Sequence, residues 1–137
     1  FDLDGLSVFA MGGAESVDRQ WRVPYRSWWP EEIPNADERV LAETNLAARG
    51  WRVDYVVTHE APFRVLDLMY GDDQAASDEF PRWLDGIASR LTRCVLDAAE
   101  EAGVTVIPSC WYVDGLMTRS SPRYDHLRAY LSAPASE

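Results

Sequence analysis

Histidine is scarce in this chain: His59 and His126 are the only two among 137 residues. Cysteine is equally scarce. Cys94 and Cys110 make no CxxC pair and no Cys/His cluster, which excludes a zinc finger, while one disulfide and two buried free thiols both stay open. No apolar run is long enough to span a bilayer, and no secretory signal pattern is visible, so a cytoplasmic protein is expected. Positive charge is also short. Thirteen Lys and Arg stand against 23 Asp and Glu, a formal net charge of −10. Such a chain gains nothing from counterion release on a phosphate backbone, so nucleic acid is not an expected partner. An anionic membrane surface is disfavoured for the same reason. Phosphate-loop glycine spacings, EF-hand spacing, internal repeats and low-complexity segments are all missing.

What the chain does have is aromatic mass, with six Trp and six Tyr. These residues carry large apolar area, and the length fits one domain, residues 1–137, able to bury a sizeable core. The chain opens on Phe1 rather than Met, which reads as a processed, trimmed or truncated product.

Local patterning gives an order of elements. Leu6 to Met11 (LSVFAM) reads as a buried strand closed by Gly12-Gly13. Ala14 to Pro34 is a long ordered loop rich in Trp, Arg and Glu. Asn35-Ala-Asp-Glu38 has the form of a capping box, opening a helix over 36–49 with Gly50 as its stop. Its apolar face is Val40, Leu41, Thr44, Ala47 and Ala48. A strand follows from Trp51 to Thr58, then a loop from His59 to Ala76. Ser77 caps a second helix that accepts Pro81 in its first turn. That helix runs to Ala102 on a stripe of Leu84, Ile87, Ala88, Leu91, Val95, Ala98 and Ala102. Strands are expected at Val104–Ile107 and Trp111–Met117, a short helix at Asp125–Leu131 and a frayed tail at 132–137. Alternating strands and helices indicate an α/β sandwich, whose sites form at the carboxyl ends of strands.

Two candidate positions lie at such ends. His59, in THEAP, can bind a divalent metal with Glu60 as a ligand or supporting partner, or it can be a half-buried histidine bonded to the backbone. Gly12-Gly13 permits close backbone approach or simply turns the chain. In YRSWWPEE, Trp28 and Trp29 either line a pocket or fold back onto the core, and Arg22 and Arg26 can meet a phosphate or a nearby acid. Asp67, Asp72, Asp73, Asp78 and Glu79 read as a solvated acidic run. Ser16 and Ser109 have no nucleophile elbow around them.

Taken in order, VFAMGGAESVDRQWR, SWWPEE and WRVDYVVTHEAP resemble the calcineurin-like metallophosphoesterases. EFPRWLDGIASRLT, from Glu79 to Thr92, is similar to the helix that follows in that family, and DGLMTRSSPRYDHLRAYL is similar more loosely. The resemblance implies a mixed-sheet α/β/β/α sandwich and metal-dependent hydrolysis of phosphate esters. It implies two divalent ions (Mn, Fe or Zn) activating a water, with His59 as one metal ligand and a phosphate ester as substrate. The family's D-x-H, G-D-x-x-D and G-N-H-[DE] motifs would precede Leu6, where FDLDG stands. Ser109-Cys110-Trp111-Tyr112 occupies the place of G-H-x-H. The chain is therefore expected to be the C-terminal part of such a domain, active only within a longer chain. Its strand edge would be open to self-association or to pairing with a missing N-terminal half. The alternative is a non-catalytic binding or regulatory module derived from the same fold. A third reading is an unrelated α/β enzyme with Ser109 or Cys110 as nucleophile.

Overall fold

The computed structural model describes residues 1–16, 18–70 and 79–129. The chain divides into two compact units, Phe1–Ile87 and Ala88–Glu137.

The first unit is organised on a three-stranded mixed sheet in the order β1-β2-β3. Strands β1 (Asp2–Leu3) and β2 (Leu6–Met11) form an antiparallel hairpin, with Asp2 opposite Ser7 and Leu3 opposite Leu6. Its two-residue turn is Asp4-Gly5, both at positive φ (49° and 83°). Asp-Gly is among the pairs that tolerate this mirror-image turn, whose twist matches that of the strands. Strand β3 (Tyr55–Thr58) runs parallel to β2, from Val8 opposite Tyr55 to Met11 opposite Thr58. The expected strand from Trp51 is shortened because Trp51 takes φ 60° in the turn after a helix, and because Asp54 is bound to Ser7. The α/β class stands. A sandwich of two mixed sheets does not: among the described residues there is one small sheet with four α-helices.

Helix α1 (Ala36–Ala48) begins at the capping box read from the sequence. The Asn35 side chain accepts from the Glu38 amide at 3.0 Å, and Glu38 accepts from the Asn35 amide at 2.8 Å. Its end is closed by Trp51 N–H bonding to the Leu46 carbonyl. The buried face differs from the expected one. Ala42 and Leu46 are buried, while Val40 and Leu41 are exposed. The inward row is Arg39, Ala42, Glu43 and Leu46, spaced by three and four residues. Arg39 and Glu43 were passed over because they are charged. They are inward because Arg39 pairs with Glu79 at 2.8 Å and Glu43 accepts from the Trp83 indole at 2.6 Å.

A loop was expected after His59, yet helix α2 covers Phe63–Tyr70. Pro62 opens it, its carbonyl accepting from Val65 and Leu66. The Arg82 guanidinium lies 3.9 Å over the Phe63 ring. Ser77 as a cap, most of the acidic run (Asp72, Asp73, Asp78) and the tail at 132–137 lie outside the described residues.

Helix α3 (Glu79–Ala102) carries Pro81 in its first turn, as expected. Phe80, Leu84, Ile87 and Leu91 keep a helical stripe, and the burial then shifts by one residue. Leu96 and Ala99 are buried and Val95 is exposed. In the second unit Leu96 and Ala99 form one core with Tyr112, Leu116, Met117, Tyr124 and Leu127. Trp111–Arg119, expected in its first part as a strand, is helix α4. Its aromatic and β-branched residues suggested a strand, but Tyr112, Val113, Leu116 and Met117 recur at helical spacing. Asp114 and Arg119 suit the helix dipole at either end. The expected strand at Val104–Ile107 is reduced to a bridge between Val106 and Arg128; of the helix expected at 125–131, the described residues 125–129 form a single 3-10 turn, Asp125–Leu127.

Candidate functional site

His59 stands just beyond the end of β3, where the strand pattern put it. Its backbone N–H donates to the Met11 carbonyl at 3.1 Å and the residue is exposed. The carboxylate of Glu60 accepts from its neighbour's amide, Ala61, at 2.8 Å. Among the described residues, no group of three or more His, Cys, Asp or Glu side chains is placed to hold a metal ion.

The glycine turn and the tryptophan loop meet one another rather than a ligand. Gly13 has φ 98°, and a Cβ there would lie 2.4 Å from Pro34 Cδ and 2.7 Å from the Glu32 carbonyl oxygen. Only glycine fits that crossing. Ser16 donates to the Glu32 carboxylate twice, from its amide at 3.0 Å and its hydroxyl at 2.6 Å. The Trp28 indole donates to the same carboxylate at 2.6 Å. Burial pushes the Glu32 carboxyl up, but these bonds outweigh it and hold it below its ordinary value. Arg19 lies over the Trp28 ring at 4.2 Å, and Arg22 meets the acid Asp18 at 2.6 Å. So Trp28 folds back onto the protein while Trp29 stays half exposed.

The second unit has its own polar set. Asp97 accepts from the buried Tyr124 hydroxyl at 2.7 Å and from Arg123 at 2.9 Å. The Tyr124 bond lowers the Asp97 carboxyl, with Arg123 adding to it, while burial and then Asp97 raise the Tyr124 phenol. Ser89 and Tyr112 share a hydroxyl–hydroxyl bond of 3.0 Å, and Arg128 binds Asp114. Cys110 precedes α4 with no side-chain cap, and Cys94 and Cys110 are free thiols. None of these pairs was legible in the sequence, since the partners lie 14 to 27 residues apart.

Residues 85–127 match the family model of the GCN5-related N-acetyl-transferases. This segment holds the later part of α3, the Val106 bridge, α4 and the Tyr124 turn. No curated protein and no solved structure matches the chain.

The match overturns the metallophosphoesterase resemblance, and with it phosphate-ester hydrolysis and the hydrolase, phosphatase and manganese-binding expectations. The matched segment includes CVLDAAEEAGVTVIP, which none of the stretches likened to the phosphoesterases covers. The three ordered motifs that chiefly carried the resemblance lie in the first unit, where Gly13, Ser16, Trp28 and Glu32 build a loop, while the looser similarities at 79–92 and 114–131 overlap the matched segment. Among the described residues, no helix is long and apolar enough to cross a membrane.

Proposed function

We propose that this chain takes part in acetyl transfer to an amine. The observation that supports this reading is the match of residues 85–127 to an N-acetyl-transferase family model. In such a reaction the amine nitrogen attacks a thioester carbonyl. A C–N bond forms, the C–S bond breaks, and the thiol leaves with the proton that the amine gives up.

The family implies acetyl-coenzyme A as donor, and its pyrophosphate needs backbone N–H groups or cations. The uncapped first turn of α4 after Cys110 is the phosphate-compatible feature of the matched segment. Around it, Arg123 and Arg128 are held by Asp97 and Asp114, and Gly86, Gly103 and Gly115 stand too far apart for a phosphate loop. The acetyl-transfer reading rests on the family match and on the class of reaction that it implies.

The test is thiol release from acetyl-coenzyme A in the presence of a panel of primary amines, with the acetylated amine followed by mass. Thiol release that requires both protein and amine supports the reading. No release above the protein-free rate, together with no coenzyme A binding by calorimetry, overturns it.

A further inference from the structure

Helix α1 carries two apolar faces, and the first unit uses one of them. Ala42 and Leu46 are buried, whereas the stripe picked out in the sequence, Val40, Leu41, Thr44, Ala47 and Ala48, is exposed. At about 100° per residue, Thr44 stands about 160° round the helix from both Ala42 and Leu46. The stripe therefore points away from the core. Val40 is 63% exposed and Leu41 60%. A contiguous apolar face of this kind marks an interaction surface. Three observations say what covers it.

The first is polarity. The stripe holds no charged side chain between Val40 and Ala48. Glu43, within that span, turns inward to the Trp83 indole. The Thr44 hydroxyl already donates to the Val40 carbonyl at 2.8 Å, so covering it leaves no donor without a partner. The second is size. The stripe is large at its N-terminal end, with Val40 and Leu41, and small at the other, with Ala47 and Ala48. The third is direction. Asp37, in the first turn of the helix, lies on the same face, about 20° round from Thr44.

We propose that this face docks on the same face of a second copy of the chain, as an antiparallel helix pair about a two-fold axis at Thr44. Val40 then falls opposite the partner's Ala48 and Leu41 opposite the partner's Ala47. Every large side chain meets a small one, and the helix axes can approach to about 8 Å. A two-fold contact requires one patch complementary to itself, which this gradient of size supplies. In a parallel pair Val40 and Leu41 would meet their own copies, the two Asp37 carboxylates would face each other, and the helix dipoles would align unfavourably. One helix pair buries less than the roughly 1,600 Å² of a standard interface, and two copies of net charge −10 repel each other. The dimer is therefore weak. Salt should tighten it, because screening removes the repulsion while the paired stripes hold no charge to be screened. This inference does not rest on acetyl transfer, since α1 lies outside residues 85–127.

The test is sedimentation equilibrium of the full chain from micromolar to millimolar concentration. The mean mass is expected to rise toward twice that of the monomer. The dissociation constant should fall several-fold as sodium chloride is raised from about 0.05 to about 0.5 M. Thr44→Glu sets two like charges against each other on the axis and should weaken association at least about tenfold, with an unchanged circular dichroism spectrum. Cross-linking reads the direction. In a Cys94→Ala, Cys110→Ser background, a mixture of Val40→Cys and Ala48→Cys proteins should be joined by a short bismaleimide, while neither variant alone should be. A monomer at millimolar concentration, or a dimer that Thr44→Glu leaves intact, overturns the proposal. Val40→Cys joined to itself as efficiently as to Ala48→Cys overturns the antiparallel pair, and association that weakens with salt overturns the apolar interface.

Discussion

The indole N–H of Trp28 and the hydroxyl of Ser16 converge on one carboxylate, that of Glu32, each at 2.6 Å. The three residues come from two stretches of a loop with no helical or strand period. A carboxylate that accepts several N–H and O–H bonds replaces the regular ladder such a loop lacks. This explains how a long aromatic segment holds one conformation beside the Gly13–Pro34 crossing.

Glu32→Ala removes the acceptor and strands the Ser16 amide and the Trp28 indole in a half-buried place. A loss of about 1–3 kcal/mol is expected for donors left without partners. Glu32→Gln keeps an acceptor oxygen but loses the charge, so it should cost less. Urea unfolding followed by tryptophan fluorescence checks both. Equal stability of all three proteins would show that the loop is held by other contacts.

How much of this could be read from sequence depended on how local the cause was. The capping box at Asn35 and Glu38 spans four residues, and α1 was read to within a residue at its end. The bounds of β2 were read whole from LSVFAM, but not its burial: within it Phe9 alone is buried and Leu6 is exposed. The hairpin at Asp4-Gly5 was missed although Asp-Gly is a strong turn signal, because a two-residue strand has too short a pattern. Helix α4 was misread because its Trp, Tyr and Val suggested a strand, while its packing is set by Tyr124 and Leu127, later in the chain. His59 was placed correctly at a strand end, but no sequence signal told that it would be exposed. Ser16 lies 16 residues from Glu32 and Tyr124 lies 27 from Asp97, so neither pairing has a local signal, and the motifs around Glu32 were instead assigned to another family's chemistry.

Asp97 and Tyr124 predict a stability profile with two limbs. The Asp97 carboxyl lies below its unfolded value, near 3.9, so its contribution is full above that value and is lost as pH falls through the folded one. The Tyr124 phenol lies above its unfolded value, near 10, so its contribution is full below that value and is lost as pH rises through the folded one. Urea midpoints between pH 3 and 11 should therefore decline at both ends. Tyr124→Phe should cost about 1 kcal/mol at neutral pH and flatten the alkaline limb. An alkaline decline unchanged in Tyr124→Phe would assign it to another group.

At the start of α1, Asn35→Ala deletes the side chain that accepts from the Glu38 amide. A cost of about 1 kcal/mol is expected for such a cap. Asn35→Asp should be neutral or slightly stabilising, since it keeps the acceptor and adds negative charge at the positive end of the helix. Thermal unfolding of the three proteins orders them, and a neutral Asn35→Ala would mean that the Glu38 side of the box suffices alone.

Two glycines separate conformational need from mere presence. Gly13 has a positive φ and would bring a Cβ against Pro34 and the Glu32 carbonyl. Gly13→Ala should therefore cost more than the ~1 kcal/mol of a strained φ alone, because backbone and a proline ring must also move. Gly86 sits within α3, and a Cβ there meets nothing within 4 Å. Gly86→Ala should stabilise by about 0.5–1 kcal/mol, since alanine loses less backbone entropy in a helix. The double variant tests whether the two effects add, as distant sites do. Its stability should lie between those of the single variants, below wild type by the difference of the two effects. A Gly13→Ala protein as stable as wild type would mean that the loop can reopen at Pro34, and the packing described for Ser16, Trp28 and Glu32 would then not depend on that crossing.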